Sequence, residues 1–198
     1  MESLKQKFLL YRKSIFTECE TGYIHFLSAS RIKSFINEGD FHKISPTFWR
    51  YTHLAHSECV FLCLARILDK RYSDSVTIHN FLKLIESEKR HIFNASILDQ
   101  VKTEIEKDLT YMANRNDLID RIMRLRDKLL AHLDKKTFNN IDSFFEQRAI
   151  EDEEIEKIFL GVEKTVNKYL FFYDGTKPPY DSIGWKQSIF IDFLQFIY

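Results

Sequence analysis

Glycine and proline are scarce in this chain. Its 198 residues include 5 glycines and 3 prolines, too few for an all-β protein that must reverse direction every ten residues or so. Net charge is missing as well: 29 basic residues balance 29 acidic ones. The molecule as a whole therefore has no field to draw in nucleic acid, and any anionic partner must meet a local patch. Cysteine is limited to Cys19, Cys59 and Cys63, an odd number that makes no disulfide framework. Cys59 and Cys63 lie one helical turn apart with His56 nearby, a thin pattern for a metal site; small buried hydrophobes are the expectation. No apolar run approaches the roughly 20 residues needed to cross a bilayer. The opening MESLKQKF has no signal-peptide core, so a cytoplasmic protein without membrane contact is expected. Gly-rich phosphate loops, Gly-x-Ser-x-Gly elbows and His-Glu-x-x-His pairs are absent. Glu88 and His91 form half of a Glu-x-x-His carboxylate-metal pattern, but no second copy exists. No metal and no cofactor are expected.

What is present is enough apolar residue to build a core: 44% of the chain, with 18 Phe and 9 Tyr. Its spacing is helical. Residues 3 to 37 place Leu4, Phe8, Leu9, Ile15, Phe16, Ile24, Phe26, Leu27, Ile32, Phe35 and Ile36 on one long helix, or on two joined near Thr21 and Gly22. Ser45 followed by Pro46 is a helix start, and the segment behind it is apolar on most sides. Residues 77 to 87 predict a short helix, 94 to 113 a cleaner amphipathic one, and about 117 to 132 a third. FNNIDSFF is ambiguous between loop and short helix. EDEEIEKIFLGVEKTVNKYLFFY opens with acids where a helix dipole favours them. DGTKPPYD then breaks the chain, and the apolar SIGWKQSIFIDFLQFIY reads equally as helix or strand-like arm. The pattern predicts an all-α bundle over 1–175 with an extension over 176–198. That extension either packs on the bundle or serves as a docking arm through Trp185, Phe190, Phe193, Phe196 and Tyr198.

The densest chemistry lies in RIMRLRDKLLAHLDKK, residues 121 to 136. Arg121, Arg124, Arg126, Lys128, Lys135 and Lys136 outnumber Asp127 and Asp134, a net charge of +4 suited to phosphate. Arg126 and His132 are six positions apart, about 120° around a regular helix, so they are not stacked neighbours as an i, i+4 pair is. A frayed last turn, or a second copy of the helix across a dimer axis, would bring them together. Such a set suits RNA cleavage without metal. A histidine near its ordinary pKa takes the proton of a ribose 2′-hydroxyl, an arginine holds the phosphate, and Asp127 orients either. The plain alternative is that basic residues coat a helix C-terminus and complement its dipole.

RDKLLAHLD (126–134) resembles the Arg-polar-x-x-x-x-His signature of HEPN domains, in particular the AbiU-type abortive-infection branch. The upstream LARILDKRYSDSVTIHNFLKLI (64–85), an Arg-x-x-Asp helix end followed by a short helix, is similar to that branch too. The likeness covers roughly residues 5 to 172. It implies a bundle of four to five main helices that dimerises and sets two motifs in one cleft. It further implies a metal-independent endoribonuclease acting as a toxin or in phage defence, with a possible cognate antitoxin. In that reading Arg126 binds the scissile phosphate, Asp127 is the polar residue beside it and His132 is the general base or acid. Arg121, Arg124, Lys128, Lys135 and Lys136 would line the RNA path. The family also includes inactive domains that only bind RNA or a partner protein. Where toxins of this type paired with a nucleotidyltransferase carry a modifiable tyrosine, two residues past the histidine, this chain has Asp134.

Overall fold

A computed structural model describes residues 3–37, 46–131 and 150–175. They form six α-helices: α1 (Leu4–Asn37), α2 (Pro46–Leu68), α3 (Ile78–Ile92), α4 (Leu98–Ala113), α5 (Asn116–Ala131) and α6 (Asp152–Asp174), with a 3₁₀ turn at Ala95–Ile97. No strand occurs among the described residues, and the architecture is all-α. The ambiguous FNNIDSFF and the extension from 176 onward lie outside the described residues.

The 34 residues of α1 run without interruption through Gly22, which settles the choice between one helix and two. The reason is packing. Phe8, Tyr11, Ile15, Cys19, Tyr23, Phe26 and Ala29 are all buried at steps of three and four, a stripe that runs nearly the whole helix. Cys19 and Tyr23 carry that stripe across the gap between Ile15 and Phe26, whereas Ile24 and Leu9 face outward. Gly22 sits on the same face. A Cβ there would lie 2.6 Å from the Phe159 ring and 2.8 Å from Cys63 Cβ, so hydrogen at this position lets α1 approach α2 and α6 together.

Both neighbours run antiparallel to α1. Against α2, Phe35 meets Trp49, His25 meets His56, and Glu18 meets Arg66. Against α6, Lys33 pairs with Asp152, Tyr23 with Glu156, and Arg12 with Asn167. The dipoles of α1 and its two partners therefore oppose one another, the favourable sense. α5 packs on α2, and α4 on α3.

The aromatic richness is spent where α1, α3 and α6 converge. Phe8 stacks on Phe81 at 5.4 Å between ring centroids and meets Phe93 edge-on at 5.6 Å. Phe81 in turn meets Tyr169 edge-on at 6.0 Å. Offset and edge-on pairs of this kind add about 0.5–1.5 kcal/mol each beyond area burial. α3 extends past residue 87 to Ile92 because Ile92 stands seven positions after Ile85, two turns along one face, and both are buried. The acidic start of α6 is a reciprocal cap, with Glu151 and Glu154 each accepting from the other's backbone N–H. Gly175, at φ 73°, ends the helix in the left-handed conformation.

Replacing Gly22 by Ala should lower stability by up to about 2 kcal/mol net, because the added methyl meets a ring and a backbone-anchored Cβ at once and overpacking of that kind costs about 1–3 kcal/mol. The net figure allows for the roughly 1 kcal/mol that alanine ordinarily gains over glycine inside a helix. Denaturant unfolding of the two proteins checks it; an unchanged or raised midpoint would refute the close-approach account.

Candidate active site at the ends of α2 and α5

Arg126 occupies a position where α5 otherwise buries apolar side chains. Ile119 and Ile122, seven and four residues earlier, are both in the core, and the same stripe carries Arg126 inward until its side chain is only 15% exposed. A guanidinium so placed needs an anion. Asp69 supplies it. This residue continues the last turn of α2, its N–H donating to Ala65 O at 2.9 Å, and its carboxylate is 9% exposed.

Asp69 accepts from Arg126 Nη1 at 3.0 Å. It also accepts from three Arg71 donors: backbone N at 2.9 Å, Nε at 3.0 Å to one oxygen and 3.2 Å to the other, and Nη2 at 2.7 Å. Asp127, half exposed, closes the figure from the solvent side. Its Oδ1 accepts from Arg126 Nε at 2.9 Å and from Arg126 Nη2, and its Oδ2 lies 3.5 Å from Arg71 Nη1. Two arginines and two carboxylates thus form a ring with no net charge. Arg71 holds the Asp69 carboxyl well below the usual carboxylate range, against the opposing pull of burial, and Arg126 adds to the effect. The same bonds push the Arg71 guanidinium up.

Among the residues singled out in the sequence, the structure brings Arg126 and Asp127 together and adds Asp69 and Arg71. Arg121 turns instead to α6, where its Nη2 donates to both oxygens of Glu154 at 3.2 Å. Arg124 is exposed and bonds the Asp120 carbonyl one turn back at 3.2 Å. The Lys128 side chain, His132, Lys135 and Lys136 lie outside the described residues; α5 itself reaches Ala131, the residue before His132. Asp69 and Arg71 were present in the quoted Arg-x-x-Asp segment. The signal for their role was an acid ending a helix that is otherwise apolar on nearly every side.

Cys19 and Cys63 behave as packing, whereas Cys59, expected to be buried with Cys63, is only partly buried. Cys19 is buried and donates to Phe159 O at 3.2 Å; Cys63 is buried and its thiol is pushed up to about 12, first by burial and then by Glu18. Among the described residues no three His, Cys, Asp or Glu side chains converge as a metal site. His25 and His56 meet Nδ1 to Nδ1 at 2.8 Å, which requires one ring to donate and the other to accept.

Asp69→Ala should cost about 2–3 kcal/mol, somewhat below the figure for a wholly buried pair because Arg71 is open to solvent. The sign with pH follows from the lowered Asp69 value. Its folded-state pKa lies below the unfolded one, so its contribution is complete above about pH 4 and fades as pH falls from there through the depressed value. Urea midpoints measured from neutrality downward should fall more steeply for the wild type than for Asp69→Asn, and parallel curves would count against this account.

No curated protein and no solved structure is significantly similar to the chain. The family model for AbiU2, a HEPN family, matches residues 5–187. That span covers the described helices from the second residue of α1 onward and runs past the limit of 172 suggested by the motifs. With the match spread over nearly the whole sequence, the chain belongs to the HEPN AbiU2 family, a family linked to abortive infection.

Proposed function

We propose that this protein is a metal-independent endoribonuclease that acts as a toxin or abortive-infection effector, with Arg126, Asp127 and His132 at its reactive centre. The observation that carries the reading is the arginine itself. Arg126 is drawn into the core stripe of α5 and fixed by the buried Asp69, six positions before the histidine of the motif. A fixed guanidinium is a preorganised charge: it meets the negative charge growing on a phosphate in the transition state without rearranging first.

The reaction follows from these groups. His132, as the neutral imidazole, takes the proton of a ribose 2′-hydroxyl. The freed oxygen attacks the adjacent phosphorus, the bond to the 5′-oxygen of the next nucleotide breaks, and that oxygen leaves with a proton from an acid. The products are a 2′,3′-cyclic phosphate and a 5′-hydroxyl. A homodimer that sets two copies of the motif in one cleft would provide both a base and an acid from two His132 side chains. RNA is the substrate in this reading, and a cognate antitoxin the natural partner.

One observation favours a second reading, a HEPN module that binds RNA or a partner protein without cutting. The Nε and both Nη atoms of Arg126 are engaged by Asp69 and Asp127, so a phosphate must displace a carboxylate to reach them. Incubating purified protein with total RNA or a tRNA mixture in EDTA separates the two. Cleavage by the wild type should fall at least about a hundredfold in His132→Ala, as loss of a general acid–base commonly does, and comparably in Arg126→Ala with the fold intact. Undiminished cleavage by both variants would sink the assignment; RNA retention with no cleavage by the wild type would favour the binding module.

A further inference from the structure

The Asp127 carboxylate is held as an oxyanion ligand would be. Arg126 grips its Oδ1, Arg71 faces its Oδ2 from the other side, and behind both stands Asp69, which fixes the two guanidinium groups relative to each other. Asp127 itself is 53% exposed. A surface carboxylate on a short stem is weakly held in high dielectric and swings out at little cost, whereas the buried Asp69 stays. A phosphodiester offers the same two-oxygen edge to a pair of guanidinium forks.

The chain next to Arg71 adds a second feature. Tyr72 is the most exposed large hydrophobic residue among those described, at 63%, and Arg71 lies 5.7 Å from its ring centroid. Its backbone is not loose. The Tyr72 carbonyl accepts from Ser75 Oγ at 2.7 Å and from Asn80 Nδ2, on α3, at 2.8 Å. An exposed ring on a pinned backbone beside paired guanidiniums is the combination that single-stranded nucleic acid uses, with phosphate on cation and base on aromatic face.

We infer that the α2–α3 connection forms a nucleotide subsite: the oxyanion of an RNA phosphodiester replaces the Asp127 carboxylate between Arg71 and Arg126, and Tyr72 stacks on the neighbouring base. The inference rests on reading Arg126 as a phosphate-binding residue, and it adds Arg71 and Tyr72 as binding residues. Asp127 becomes the internal occupant that keeps the clamp closed when RNA is absent.

The test is binding without chemistry. A fluorescent single-stranded 2′-O-methyl oligoribonucleotide, which has no free 2′-hydroxyl and resists cleavage, is titrated with full-length protein over a range of salt, and inorganic phosphate is added as competitor. Arg71→Ala should weaken oligonucleotide binding about tenfold and flatten the log–log salt dependence by about 0.7, the loss of one single-strand phosphate contact. Tyr72→Ala should weaken it by a factor on the order of ten while leaving competition by phosphate unchanged. Asp127→Ala should tighten it. Arg71→Lys, which retains the charge without the fork, should keep the salt slope and lose part of the affinity; it carries the phosphate arm should Arg71→Ala not fold. No binding by the wild type at low salt, or equal affinity in the wild type and the Arg71 variants, overturns the subsite and leaves a purely structural ion ring. Loss with Arg71→Ala but none with Tyr72→Ala overturns the base contact. Binding that needs Arg71 and Tyr72 in a protein that cuts no RNA would defeat the nuclease reading alone, and cleavage with binding unaltered in both variants would defeat this inference alone.

Discussion

Asp69 ends α2 with a carboxylate almost cut off from water, and two arginines from different parts of the chain meet it there. A lone charge at that depth is expensive to bury, and only a well-bonded partner offsets the cost. The constraint works in both directions. Arg126 lies inward because Asp69 is there, and Asp69 is ionised because Arg71 and Arg126 are there. Since the partners belong to α2, to the α2–α3 connection and to α5, the pairing also sets how the ends of α2 and α5 lie against each other. The remaining features of the site, including the placement of Asp127 and the fixed path of the connection through Tyr72, hang from that contact.

The bundle around it is arranged so that this end can be specific. The apolar weight sits elsewhere, in the stripe of α1 and in the rings of Phe8, Phe81, Phe93 and Tyr169 where α1, α3 and α6 converge. Dispersion and area burial there supply cohesion without direction. Directional interactions include the half-exposed pair Arg121–Glu154, the Lys168–Asp108 pair and the largely buried ring at Asp69. Most of the cohesion thus comes from the apolar core, while the direction of packing is set by polar contacts that add to it, Asp69 and the Tyr169–Asp108 bond among them.

The helices were readable from the sequence where local signals decide them. Pro46 opens α2, the acids at 152–154 open α6, and the period of three and four marks α4 and α5. The family was readable as well, since RDKLLAHLD and the Arg-x-x-Asp helix end are local patterns. What resisted reading depends on partners far along the chain. Arg126 looks like one more surface cation until Asp69, 57 residues earlier, is known to touch it. Arg121 belongs to the same basic run, yet Glu154, 33 residues later, claims it. Nothing local separates those two arginines. Ile24 shows the same limit in apolar form: it has the right type for the stripe of α1, but the helix turns Tyr23 inward and leaves Ile24 out.

The antiparallel register of α1 and α6 has a consequence for synthesis. Arg12 meets Asn167 across 155 positions, and Tyr23 meets Glu156 across 133. One flank of α1 is therefore made well before the helix that covers it, and stays uncovered until α6 has been made. Until then α2 and α3 can sheathe only the other faces, and the side of Phe8 and Cys19 that awaits Tyr173 and Phe159 is open to water and to other nascent chains. The hazardous interval is the time taken to translate the stretch between α1 and α6, and this is where a holding chaperone would have the most to protect.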